Sequence, residues 1–131
     1  MRRFLALLSA FLAGPALAAD NPVSTDQASQ RVISSAGGSL ADIYQRGSNN
    51  TADMEQSGSG NTASITQSGS GNSSVIRQSG NGNAADSQQN GNNLGVAITQ
   101  SGNAGNIRVQ QTGPGTGASI FQSGPGTVTV R

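Results

Sequence analysis

Eight glutamines recur at a fixed interval: Gln45, Gln56, Gln67, Gln78, Gln89, Gln100, Gln111 and Gln122. A side-chain amide carries two N–H donors and a carbonyl acceptor, so identical amides stacked at strand spacing satisfy one another. The chemistry this spacing offers is recognition of like by like. Turnover needs other groups, and the chain lacks them. Cys, His and Lys are absent, which removes thiol nucleophiles, imidazole bases, Schiff-base lysines and the usual zinc ligands. Asp42, Asp53, Glu55 and Asp86 are spread over different repeats rather than paired for acid–base work. No enzyme, cofactor, metal site or small-molecule substrate is expected.

The elements that hold these amides follow from the residues around them. Gly47, Gly58, Gly69, Gly80, Gly91, Gly102, Gly113 and Gly124 come two places after each Gln. Two places before stand Ile43, Met54, Ile65, Ile76, Ser87, Ile98, Val109 and Ile120, and four before stand Ala41, Ala52, Ala63, Ser74, Ala85, Val96, Ile107 and Ala118. The order small–x–aliphatic–x–Gln alternates with period two, so all three side chains share one face of a strand of about five or six residues. Gly, Ser, Asn and Pro then supply a turn. One strand–turn unit of eleven reverses the chain, and two such units return it to its start. The expected fold is all-β, a β-solenoid of about four 22-residue coils with two short strands per coil and amyloid-like stacking. Opposite charges two units apart, Glu55 with Arg77 and Asp86 with Arg108, fall on neighbouring rungs of such a coil.

In this arrangement Gln45, Gln67, Gln89 and Gln111 stack on one sheet and Gln56, Gln78, Gln100 and Gln122 on the other. Gln56 and Gln67 are expected to face each other across a thin core. Asn50, Asn61, Asn72 and Asn83 lie five places after a Gln and form a second ladder confined to the first two coils, because Leu94, Gly105, Thr116 and Thr127 follow in that place. Ser87 interrupts the aliphatic series and, with Asp86, reads as a gatekeeper that slows aggregation. Nothing in the repeats reads as a bulky cap, so the first and last coils are expected to present open edges that template another chain. In residues 127–131 the valines are out of phase with the inward positions. An exposed docking edge and a slipped register are both open there.

The N-terminus reads as an address. Arg2 and Arg3, an apolar run from Phe4 to Leu12, Gly14-Pro15 and Ala16-Leu17-Ala18 form a secretion signal over residues 1–19. Residues 20–40 form an N-terminal export or linker segment, and residues 41–131 the repeat solenoid. Only 10% of residues are charged, so the polar composition is that of an amide-rich β-stacking chain rather than of a charged disordered one. Without the signal, five Arg face six Asp and Glu, and no nucleic-acid partner is expected.

Gln45-x-Gly47-x-x-Asn50-x-Ala52-x-x-x-Gln56 and Gln56-x-Gly58-x-x-Asn61-x-Ala63-x-x-x-Gln67 resemble the curlin repeat of bacterial curli amyloid subunits. The resemblance implies a structural subunit of an extracellular functional amyloid fibre at the bacterial cell surface, acting in biofilm matrix and adhesion. It implies self-association, a second curlin subunit as partner, and export through an outer-membrane secretion pore with periplasmic accessory proteins. A major fibre subunit and a minor subunit that nucleates fibres both fit. An ice-binding β-solenoid is a further alternative, but its flat regular face is missing. The outward residues read Tyr44, Glu55, Thr66, Arg77, Gln88, Thr99, Gln110 and Phe121.

Overall fold

A computed structural model describes residues 23–24, 29–34 and 37–131. The segment 1–19, expected to be a secretion signal, lies outside these residues, as does part of the 20–40 segment. The described residues form eleven strands and no helix: β1 (Val23–Ser24), β2 (Ser29–Ser34), β3 (Ser39–Ser48), β4 (Thr51–Ser57), β5 (Thr62–Ser70), β6 (Ser73–Asn81), β7 (Ala84–Asn92), β8 (Gly95–Asn103), β9 (Gly105–Pro114), β10 (Gly117–Ser123) and β11 (Gly126–Val130).

Successive strands alternate between two sheets. One has the order β1-β4-β6-β8-β10 and the other β11-β9-β7-β5-β3-β2. From β3 to β10 every pairing is parallel with a constant offset of two repeat units, as in Ile43↔Ile65, Gln56↔Gln78 and Ile98↔Ile120. Four coils result, as the periodicity requires. The backbone ladder also continues through the corners, where Gly71 N–H donates to Ser48 O (3.0 Å) and Gly82 N–H to Ser59 O (2.9 Å). The outward charges meet on neighbouring rungs: Arg77 Nε lies 3.3 Å from Glu55 Oε2 and Arg108 Nε 3.4 Å from Asp86 Oδ2. These exposed pairs contribute little energy, but they mark the register of the coil.

The alternation predicted from sequence sets what is buried. Ala41, Ile43, Ala52, Met54, Ala63, Ile65, Ile76, Ala85, Val96, Ile98, Ile107 and Val109 form one narrow core between the sheets. Two polar exceptions to the pattern, Ser74 and Ser87, are fully buried and meet across it, Ser74 Oγ donating to Ser87 Oγ at 2.8 Å.

The structure departs from expectation in two places. Strands run to seven to ten residues in β3 to β10, because parallel pairing carries on past the Gln. Gly47 pairs with Gly69, and Gly69 with Gly91. The first coil is not open-edged. β2 lies antiparallel on β3, with Ser29↔Tyr44 through Ser34↔Ser39, and β1 lies antiparallel on β4. Of the two readings open for residues 127–131, the slipped register is the one found: β11 pairs with β9 one place short of the regular offset, as in Val128↔Ile107 and Val130↔Val109. The arc from Gln122 to Gly126 is one residue shorter than the earlier ones, which slips the register. The two valines return to phase and pack, partly buried, against the core.

Candidate functional site: two amide ladders

The Gln side chains lie at the downstream end of each inward face, after the small and aliphatic residues. On one sheet Gln45 Nε2 donates to Gln67 Oε1 at 2.6 Å and Gln67 Nε2 to Gln89 Oε1 at 2.7 Å. Gln111 continues this row at 3.3 Å from Gln89. On the other sheet Gln56 donates to Gln78 and Gln78 to Gln100, both at 2.8 Å, with Gln122 at 3.3 Å from Gln100. Gln45, Gln67, Gln78, Gln89 and Gln100 are almost completely buried.

Each amide has a second N–H, and its destination is not evident from periodicity. Gln56 donates to Leu40 O (3.1 Å), Gln67 to Thr51 O (3.0 Å), Gln78 to Thr62 O (3.1 Å) and Gln89 to Ser73 O (3.1 Å). Every acceptor lies at the start of the preceding strand, which belongs to the opposite sheet. The glutamines therefore do two things: they stack along their own sheet, and they stitch that sheet to the other. The same contacts correct the expectation that Gln56 and Gln67 face each other. Consecutive strands cross the core in opposite directions, so the Gln end of one lies against the start of its neighbour. The two Gln rows thus run along opposite margins of the core, with the aliphatics between them.

The asparagines work differently from stacked amides. Asn50 Nδ2 donates to Arg46 O (3.2 Å) in its own arc and to Gly69 O (3.0 Å) one coil on, while its Oδ1 accepts from Asn72 N–H (3.1 Å). Asn61, Asn72 and Asn83 repeat the scheme, their Oδ1 atoms accepting from the backbone N–H of Asn83, Leu94 and Gly105. Their partners are all backbone groups, so the next coil needs no Asn. The row can end at Leu94 and Gly105 without an unpaired amide. At the other end Ser39, one repeat unit before Asn50, accepts from Asn61 N–H through its hydroxyl at 3.2 Å.

The glycine row is fixed by close approach. Gly69 has a φ of 116°, and a Cβ on it would overlap the carbonyl oxygen of Gly91. That carbonyl accepts from Asn72 Nδ2 at 2.9 Å, so glycine lets one coil sit close enough for the asparagine of the next arc to bridge to it. A second backbone rule was missed in the sequence. The residue four places after each Gln from Gln45 to Gln111 is left-handed: Asn49, Gly60, Gly71, Gly82, Asn93, Ala104 and Gly115, with φ between 56° and 69°. Asn and Gly suit this region; Ala104 alone does not.

The family model described as curlin associated repeat matches residues 38–69 and 60–86. Residues 38–86 are thus similar to the curlin repeat. The matched span covers β3 to β6 and the start of β7, and the same register and Gln rows continue beyond it through β10. The match begins at Gly38, which is left-handed like the arc residues after it (φ 71°) and immediately precedes Ser39. Searches of curated proteins and of solved structures returned no match to the chain.

Proposed function

We propose that this chain is the bulk structural subunit of an extracellular, curli-type amyloid fibre at the bacterial cell surface, contributing to biofilm matrix and adhesion. The observation that carries the reading is the constancy of the register. Every coil from β3 to β10 presents the same Gln row to the next at an offset of two repeat units. A coil that binds its neighbour in the chain is equally suited to bind the first coil of another copy. The edge strands β10 and β11 have partners on one side only among the described residues, and they supply the open template. Residues 1–19 act as the secretion signal. Residues 20–40 serve export through an outer-membrane pore with periplasmic accessory proteins, and a second curlin subunit nucleates growth. The regular Gln rows in all four coils favour the bulk subunit over the nucleator.

The test is to incubate the mature chain at micromolar concentration, following amyloid-dye fluorescence and fibre diffraction of the product. Fibres with a strand repeat of about 4.7–4.8 Å are expected; a persistent monomer would refute the reading. Adding trace amounts to another curlin separates the two roles, since a nucleator shortens that protein's lag at far below equimolar ratio.

A further inference from the structure

The solenoid grows in one direction of the chain, and its two ends are not alike. At the C-terminal end β10 and β11 each lack a partner strand on one side among the described residues. At the other end β3 and β4 are both occupied, and by strands of the wrong sense. β2 pairs antiparallel with Ser39–Tyr44 of β3, and β1 with Thr51 and Ala52 of β4, whereas every other pairing in both sheets is parallel. The backbone groups on the outer edge of β3 cannot bond β2 and an incoming parallel strand together. Strands alternate between the sheets and β11 is the last, so continuation of the solenoid by a second copy requires the equivalent of β10 on β3 and of β11 on β4.

We propose that β1 and β2 form a displaceable cap that closes the N-terminal face of the solenoid, so that each copy joins a fibre only after its cap is stripped from β3 and β4 by the β10–β11 edge of the copy ahead. This inference rests on the fibre reading above. The coverage shows how exchange begins. β1 pairs with only Thr51 and Ala52, so it spans the start of β4 and stops short of the Gln56 end. β2 likewise pairs with Ser39–Tyr44 and stops short of Gln45, and β10 carries Ala118, Ile120 and Gln122 in the order in which β3 carries Ala41, Ile43 and Gln45. An incoming β11 gains a foothold on the uncovered end of β4. β10 then replaces β2 on β3 by strand exchange and joins the Gln56–Gln78–Gln100–Gln122 row to Gln45 of the next copy. A monomer so capped stays unpolymerised until it meets a matching edge, and growth has a fixed polarity.

The chain has no cysteine, which permits a clean lock. Arg31 and Asp42 are register partners, at a separation an antiparallel pair can bridge. The full mature chain carrying Arg31→Cys and Asp42→Cys is oxidised as a dilute monomer, and the disulfide is confirmed by mass. The oxidised form is expected not to polymerise, the reduced form to polymerise as the unsubstituted chain does, and trace oxidised protein to arrest one end of growing fibres. Equal growth of oxidised and reduced forms overturns the proposal, as does failure of the disulfide to form in the monomer. A second variant acts in the opposite sense. Val32→Pro with Ile33→Pro removes two successive N–H donors, one of which must point at β3, and the lag is expected to shorten; an unchanged lag contradicts the cap. The unsubstituted chain alone tests the fibre reading, so failure of that reading is distinct from failure of the cap.

Discussion

Gln67 shows what one amide does in this fold. It accepts from Gln45, donates to Gln89 and donates across the core to Thr51 O, all in a buried setting where an unpaired polar group costs about 1–3 kcal/mol. Gln67→Ala is expected to destabilise the solenoid by about 2–4 kcal/mol on that basis, whereas Gln122→Ala, at the half-exposed edge, should cost under about 1 kcal/mol. Denaturant midpoints of the two variants measure the difference, and equal costs would contradict the stitching role. Ala104 gives the opposite prediction. Its φ of 56° lies where its counterparts are Gly or Asn, and a left-handed non-glycine residue costs about 1–2 kcal/mol. Ala104→Gly is expected to raise stability by up to about 1 kcal/mol after the added unfolded-state entropy, read as a higher midpoint. The Gln, Asn and Gly rows were visible in the sequence because each holds its place by type. The left-handed arc residue was not, because Asn, Gly and Ala share it and sequence reading does not group them. The second N–H of each Gln was hidden for another reason: its acceptors are carbonyls, which every residue type supplies.

At the scale of strands, the exceptions to the pattern are informative because they are paired. Ser74 breaks the small-apolar series in β6 and Ser87 the aliphatic series in β7, and their hydroxyls meet at 2.8 Å between the sheets. Sequence alone marked Ser87 as a weak point; it did not show that Ser74, in the strand before, supplies the compensating partner. Ser87→Ala strands the Ser74 hydroxyl and is expected to cost about 1–3 kcal/mol. Adding Ser74→Ala should recover part of that loss, a non-additivity that a double-mutant cycle measures. On the outer face of β7, Asp86 is held above its ordinary carboxylate range by burial, with Arg108 opposing the shift. Because the folded value is raised, the folded chain binds the proton more tightly than the unfolded chain does. Its contribution is present below the ordinary value and is lost as pH rises through the folded one. Stability should therefore fall with increasing pH across that acidic window, and Asp86→Asn should flatten that part of the profile. Strand β11 shows the limit of periodic reading: extending the regular step to residue 131 puts its valines outward, but one residue missing from the last arc turns them inward.

For the whole molecule, the two-strand coil was legible because three residue types keep phase over eight units and because opposite charges recur two units apart. The cap was not. Residues 23–34 carry no repeat signal, and antiparallel pairing of a short polar strand leaves no period to read. The central claim is that one copy occupies four coils of a continuous solenoid rather than a single layer of a stacked amyloid. Mass per unit length of the fibre, weighed in the electron microscope, tests this directly. At roughly 4.8 Å per coil, the account predicts one copy for about every 19–22 Å of a single solenoid filament. One copy for every roughly 4.8 Å, the value for flat in-register stacking of identical chains, would contradict it.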